Sequence, residues 1–189
     1  MNTLPLILAS GSPRRSELLS QMGLSFTVDV SDADEHCDGA PEEIVRELSR
    51  RKAKAVSGRH ADALVLAADT IVVLGEILGK PGTHERAATM LRALSGNWHE
   101  VYTGMTLINT ATGRELQAVE RTRVHFVEMT DAEIEAYAAS GEPLDKAGAY
   151  AIQGQGGMFI DRIEGSYSNV IGLPMAALRG LLAEMNACR

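Results

Sequence analysis

Asp69 stands inside Leu64-Val65-Leu66-Ala67-Ala68-Asp69-Thr70-Ile71-Val72-Val73. An ionised carboxylate in so apolar a run costs several kcal/mol to bury unless something compensates it. A metal ion, a nearby lysine or an opening onto a cleft would each do so, and a structural ion pair at a strand end is the plainer reading. A second feature lies near the start, at Ala9-Ser10-Gly11-Ser12-Pro13-Arg14-Arg15. A polar turn running into a helix presents backbone N–H groups to an anion. Ser10 and Ser12 add hydroxyl donors, and Arg14 and Arg15 add two guanidinium forks. The same residues also read as a capped helix start with solvated arginines. No Gly-Lys-Ser/Thr ending follows, so this is not a Walker loop.

Lys80 projects from a turn fixed by Gly79 and Pro81, and Lys52 and Lys54 lie on a helix that opens at Pro41. Asp34 and Glu35 sit in the acidic loop before that helix. Singly, such residues are ordinary solvated charges. Together they offer hard oxygen ligands and phosphate-binding cations, the requirements of a magnesium-assisted nucleotide site. The stretch from Glu142 to Gly157 combines glycines, Lys146 and the amides of Gln153 and Gln155. It fits a base-binding loop, because an amide offers both a donor and an acceptor, and it fits equally a turn-rich connection. The five histidines have no metal-ligand spacing, which argues against zinc. His36 and Cys37 are sequence neighbours and so do not face each other as a nucleophile and its base.

The elements that must hold these groups alternate. Leu4–Ala9 reads as a buried strand and Arg14–Gly23 as a helix with Pro13 in its first turn and Ser12 as its cap. Phe26–Val30 is a strand. The helix from Pro41 turns Ile44, Val45, Leu48 and Ala55 inward. Leu64–Leu74 is a strand covered on both faces. His84–Leu94 is helical, Val101–Ile108 and Arg121–Val127 are strands, and Thr130 with Glu133 starts a capped helix to about Ala139. Phe159–Ile163 is a short strand and Pro174–Met185 a closing helix. The alternation predicts an α/β fold, a mixed twisted sheet with flanking helices, as a single domain over 1–189.

At 45% hydrophobic residues the 189-residue chain has material for a core, which excludes a disordered class. Its formal charge of −7 and 4% aromatic content disfavour a nucleic-acid partner. Cys37 and Cys188 are too far apart for a redox or metal motif, which suits a reducing cytoplasm. No run approaches a membrane span. The apolar stretch Met1–Ala9 lacks the preceding basic residues of a secretory signal, so no membrane partner is expected.

Eight segments, taken in order, carry a resemblance. They are Leu6-Ile-Leu-Ala-Ser-Gly-Ser-Pro-Arg-Arg15, Asp34-Glu35, Lys52-Ala53, Ala68-Asp69-Thr70, Gly79-Lys80-Pro81, Asp145-Lys-Ala-Gly-Ala-Tyr150 and Gly165-Ser-Tyr-Ser-Asn169, with Gly172-Leu-Pro174 closing the series. Over nearly its whole length the sequence resembles the Maf family of nucleoside triphosphate pyrophosphatases. The resemblance implies two α/β lobes around a cleft, related in fold to the inosine triphosphate pyrophosphatases. It implies cleavage of the α–β phosphoanhydride bond with a divalent cation, magnesium or manganese, to give a nucleoside monophosphate and pyrophosphate. By the same resemblance Asp69 is the proton acceptor, and Arg14, Arg15, Lys52 and Lys80 hold the triphosphate with Ser10 against it. Glu35 and Asp69 are the implied metal ligands, and a homodimer is the implied assembly.

Within the family, the 7-methyl-GTP enzymes resemble one another in carrying tryptophan at the position of Arg14, glutamine at Thr70 and glutamate at Gln153. That set suits a cationic purine. Arg14, Thr70 and Gln153 resemble instead the pattern of the dTTP/UTP enzymes, whose neutral base edges suit guanidinium, hydroxyl and amide groups. The two further readings are a 7-methyl-GTP pyrophosphatase and a nucleotide-binding regulator of septum formation. The regulator would have no need of a base such as Asp69.

Overall fold

A computed structural model describes residues 4–187. Cys188 and the first three residues of the Met1–Ala9 stretch lie outside them. The chain divides into two compact units. The first takes the residues up to Asp69, Thr103–Glu120 and those from Gly172 on; the second takes Thr70–Tyr102 and Arg121–Ile171.

The elements in chain order are β1 (Leu6–Leu8), α1 (Pro13–Gln21), β2 (Phe26–Val28), α2 (Pro41–Ser57), β3 (Leu64–Leu74), β4 (Glu76–Leu78) and α3 (His84–Leu94). Then come β5 (Trp98–Asn109), β6 (Glu115–Phe126), α4 (Asp131–Ala139), β7 (Ile160–Glu164), α5 (Tyr167–Ile171) and α6 (Met175–Ala187). The seven strands form a mixed sheet in the order β2-β1-β3-β5-β6-β7, with β4 against β3. β1 is parallel to both β2 and β3, while β4 and β7 run antiparallel to their neighbours. This is the expected mixed α/β class.

In the first unit, Ile7, Ala9, Val65 and Ala67 from the sheet pack with Ala53 and Val56 of α2. α2 begins at Pro41, whose missing N–H costs nothing at a first helical position. The Glu43 carboxylate accepts from Ala40 N at 3.1 Å. Its buried face is Ile44, Val45, Leu48, Ser49, Ala53 and Val56, so Ala53 and Val56 take the inward place expected of Ala55, which is only half-buried. α2 lies directly on β5, since a Cβ on Gly104 would fall 2.2 Å from the Val45 carbonyl oxygen. One turn further on, Ser49 Oγ and Thr106 Oγ1 share a buried hydrogen bond of 3.0 Å. Lys52 stands one turn beyond Ser49, so these contacts set its height along the sheet.

Ser12 occupies the cap position of α1, but its hydroxyl makes no cap bond. Its N–H donates instead to Ser10 Oγ at 3.3 Å, drawing the turn inward over the end of β1. The Thr130–Glu133 capping box of α4 forms as expected, with Glu133 Oε2 2.7 Å from Thr130 N. β5 and β6 each start earlier than the sequence suggested, and β4 and α5 have no counterpart in that reading. No helix among the described residues is long and apolar enough to cross a membrane.

The second unit packs β-strand residues such as Val72, Val124 and Phe126 against α3, α4 and the 149–159 segment. Inside it His99 is 1% exposed, wedged edge-on against Phe126 and Tyr150, with Nε2 2.8 Å from Tyr150 Oη. Burial, and secondarily His125, holds its pKa down to about 4. In the unfolded chain a histidine titrates near 6.5, so the unfolded state takes up the proton first as pH falls. The contribution of neutral His99 is therefore complete above about pH 6.5 and is lost towards pH 4, by about 3 kcal/mol in all. Urea unfolding at pH 7, 5.5 and 4.5 should show this decline, and His99→Phe should flatten it. An unchanged slope in the variant would assign the decline to other groups.

Candidate active site

Six of the residues singled out from sequence are joined or electrostatically coupled in the first unit. β3 carries Asp69 as the last of six consecutive buried residues, so the carboxylate is buried by the strand itself. α2 supplies the compensation: Lys52 Nζ lies 2.6 Å from Asp69 Oδ1 and 2.7 Å from Glu35 Oε1. The Lys52 and Asp69 side chains are only 13% and 12% exposed, while Glu35 is 68% exposed. Of the compensations open from sequence, the structure shows a lysine.

Glu35 owes its place to local chemistry. Asp34 Oδ1 accepts from His36 N at 2.9 Å, closing a tight turn around it. Arg51 of α2, steadied by Glu47, donates to the His36 carbonyl oxygen at 2.7 Å and fastens that turn to the helix. Asp34 is thus a turn-former. Lys54 points elsewhere, 3.7 Å from Glu115.

The β1–α1 turn brings its own pair. Arg15 Nη1 donates to Ser10 Oγ at 3.0 Å, and Arg15 Nε donates to the Gly172 carbonyl oxygen at 2.9 Å. Ser10 is buried. Desolvation lowers the Arg15 pKa, Asp69 and Glu35 raise it and Arg14 lowers it further, which places all four charges in one field. A guanidinium remains charged in any such field. Sequence reasoning missed the Gly172 carbonyl. Its signal was Gly172-Leu-Pro174, a motif quoted without a role, and Gly172 sits at φ 117°, a conformation that favours glycine.

Thr70, Lys80 and Gln153 belong to the second unit. Thr70 is half-buried on β3, directly after Asp69; Lys80 and Gln153 are exposed. Backbone bonds tie the Lys80 turn to the segment that leads to Gln153: Gly148 N donates to Gly79 O at 3.3 Å, and Gly82 N to Leu144 O at 3.0 Å. Gly148 has no room for a side chain, since a Cβ there would lie 2.8 Å from Val72. Ala149 follows with φ 60°, a strained choice for a residue with a Cβ.

The donor set suits a hard divalent cation. Two carboxylates, Glu35 and Asp69, reach a common point now marked by Lys52 Nζ. Among the described residues no group of three or more His, Cys, Asp or Glu converges to cage a metal without other ligands. One or two carboxylates completed by substrate phosphates and water is the usual arrangement for magnesium.

A family model described as Maf-like protein matches residues 5–185. The chain belongs to the Maf family. Several Maf relatives are named dTTP/UTP pyrophosphatase. That of Pelotomaculum thermopropionicum is 49% identical over 180 residues, 94% of either chain. That of Myxococcus xanthus is 53% identical over 94% of this chain and 90% of its own. The protein from Halalkalibacterium halodurans is 51% identical over 91% of both.

Proposed function

We propose that this Maf protein hydrolyses dTTP and UTP to the monophosphate and pyrophosphate, acting as one functional domain over 1–189. The observation that carries the reading is the Glu35–Lys52–Asp69 cluster beside Arg15 and Ser10. It combines a buried carboxylate with cations suited to phosphate oxygens, in a chain several of whose relatives are named for this activity. Arg14, Arg15, Lys52 and Lys80 hold the triphosphate, with the Ser10 hydroxyl against it. Asp69 orients the attacking water and takes its proton as the water oxygen bonds to phosphorus and the α–β bridging oxygen leaves. A positioned base of this kind is worth about 10²–10⁴ in rate. The fixed cations neutralise charge on the phosphate oxygens as the bond breaks, with no reorganisation needed at that moment.

Glu35 and Asp69 would hold magnesium or manganese, which supplies Lewis-acid neutralisation of the phosphates when bound. Arg14, Thr70 and Gln153 select the base, and their neutral hydrogen-bonding set favours a pyrimidine edge over the cationic ring of 7-methyl-GTP. A cytoplasmic setting and a homodimer complete the reading, and the chemistry above depends on neither.

The test is pyrophosphate release from dTTP, UTP, CTP, dATP, GTP and 7-methyl-GTP, with magnesium and with chelator. Release from dTTP and UTP that chelator abolishes is expected. Preference for 7-methyl-GTP would overturn the base assignment, and no turnover by folded protein would leave a nucleotide-binding regulator.

A further inference from the structure

Gln153 lies in a stretch with little regular structure, between Tyr150 and a short 3₁₀ turn at Gln155–Phe159. What holds this stretch is a pair of side chains from the end of α4 and the turn after it. Glu142 Oε1 accepts from Tyr137 Oη at 2.7 Å and from Gly156 N at 3.1 Å, and Oε2 accepts from Gln155 N at 3.1 Å. Tyr137 Oη in turn accepts from Ala151 N at 3.2 Å. The anchored amides, at 151, 155 and 156, bracket Gln153 on both sides.

The fit is close. A Cβ on Gly154 would lie 2.2 Å from Glu142 Oε2, and one on Gly156 would lie 2.5 Å from Tyr137 Oη. Two glycines of the Gly-rich run are therefore there so that the backbone can rest on this pair. Tyr137 is 3% exposed, its ring against Phe159 at 5.6 Å, so the hydroxyl has one place to be. Burial opposes the charge on Glu142, yet the donors from Tyr137, Gln155 and Gly156 hold its carboxyl below the usual range. Burial, with Glu142 beside it, pushes the Tyr137 phenol up. The pair thus remains a phenol donor and a carboxylate acceptor at neutral pH.

We propose that Tyr137 and Glu142 are positioning residues for base selection, fixing the backbone on either side of Gln153 so that its amide meets the base in one orientation. The proposal rests on the reading of Gln153 as a base-selecting residue. A preorganised amide discriminates because a wrong edge leaves it unpaired; a loose one adapts to either edge.

The test compares the full chain with Tyr137→Phe, Glu142→Gln, Gln153→Ala and the Tyr137→Phe/Gln153→Ala double variant, measuring kcat and KM for UTP and CTP. Tyr137→Phe deletes one oxygen atom and keeps the ring packing, so it serves even if Glu142→Gln does not fold. In Tyr137→Phe, KM for UTP should rise about 10-fold, kcat should stay within about 2-fold, and the UTP-over-CTP ratio should fall toward that of Gln153→Ala. The double variant should be no less selective than Gln153→Ala alone. A purely structural role would instead lower both substrates by one factor through kcat. That result, or wild-type selectivity in Tyr137→Phe while Gln153→Ala loses it, overturns the clamp alone. Wild-type selectivity in Gln153→Ala overturns the base-selecting reading and the clamp with it.

Discussion

Asp69→Asn should lower turnover of dTTP and UTP by about 10²–10⁴-fold while KM changes little. The amide matches the carboxylate in shape and leaves one oxygen able to accept from Lys52 Nζ, 2.6 Å away in the wild type. Glu35 still faces the same ammonium at 2.7 Å, so Lys52 keeps a counter-charge. The fold should therefore survive, with a melting temperature within about 5 °C of wild type. What the amide cannot do is accept a proton from water. Steady-state pyrophosphate release together with a thermal melt reads both quantities. A variant that keeps most of its turnover removes Asp69 from the chemistry, and one that loses turnover only by unfolding leaves the residue structural.

Lys52→Met should show the opposite balance, damaging stability as well as activity. The methionine fills much of the same space, but it leaves the Asp69 carboxylate, 12% exposed, facing Glu35 with no ammonium between them. Removing one partner of a buried pair costs about 3–5 kcal/mol, because the other charge remains desolvated. Glu35 adds little to that figure, being mostly solvated. Chemical denaturation at neutral pH should find this loss, and turnover should fall by about 10²–10³-fold on the proposed role of Lys52 in holding phosphate. The double variant Lys52→Met/Asp69→Asn should recover most of the stability and none of the activity. Additive losses in the double variant would show that the two side chains do not act as a pair.

The legible parts of this molecule are those in which a residue's own chemistry conflicts with its neighbours. A carboxylate in a Val- and Leu-rich strand marks Asp69 because the conflict needs a resolution. Likewise Thr130 and Glu133 mark a helix start because three positions set the reach of their reciprocal bonds. Ser12 shows the limit of the same rule. Its position was right, yet its hydroxyl accepts from no N–H of the first turn; the bond that forms there is from the Ser12 N–H to Ser10 Oγ. β4 and α5 are three and five residues long, too short for a hydrophobic period to declare itself. The Gly172 carbonyl and the Glu142 clamp escaped for another reason. The first is a backbone atom that every residue possesses, and the second depends on which amides a 3₁₀ turn aims at one carboxylate. Neither has a spacing to read.

The bond from Arg15 to the Gly172 carbonyl joins positions 157 apart in sequence. On a ribosome adding about 5–20 residues per second, roughly 8–30 s separate the synthesis of these two ends. During that interval the emerging chain already holds Arg14, Lys52 and Asp69, but the guanidinium of Arg15 lacks the acceptor that fixes its Nε. A chain that ends before residue 172 therefore contains Lys52 and Asp69 but lacks the acceptor of the Arg15 Nε–H, while the Ser10 acceptor is already present.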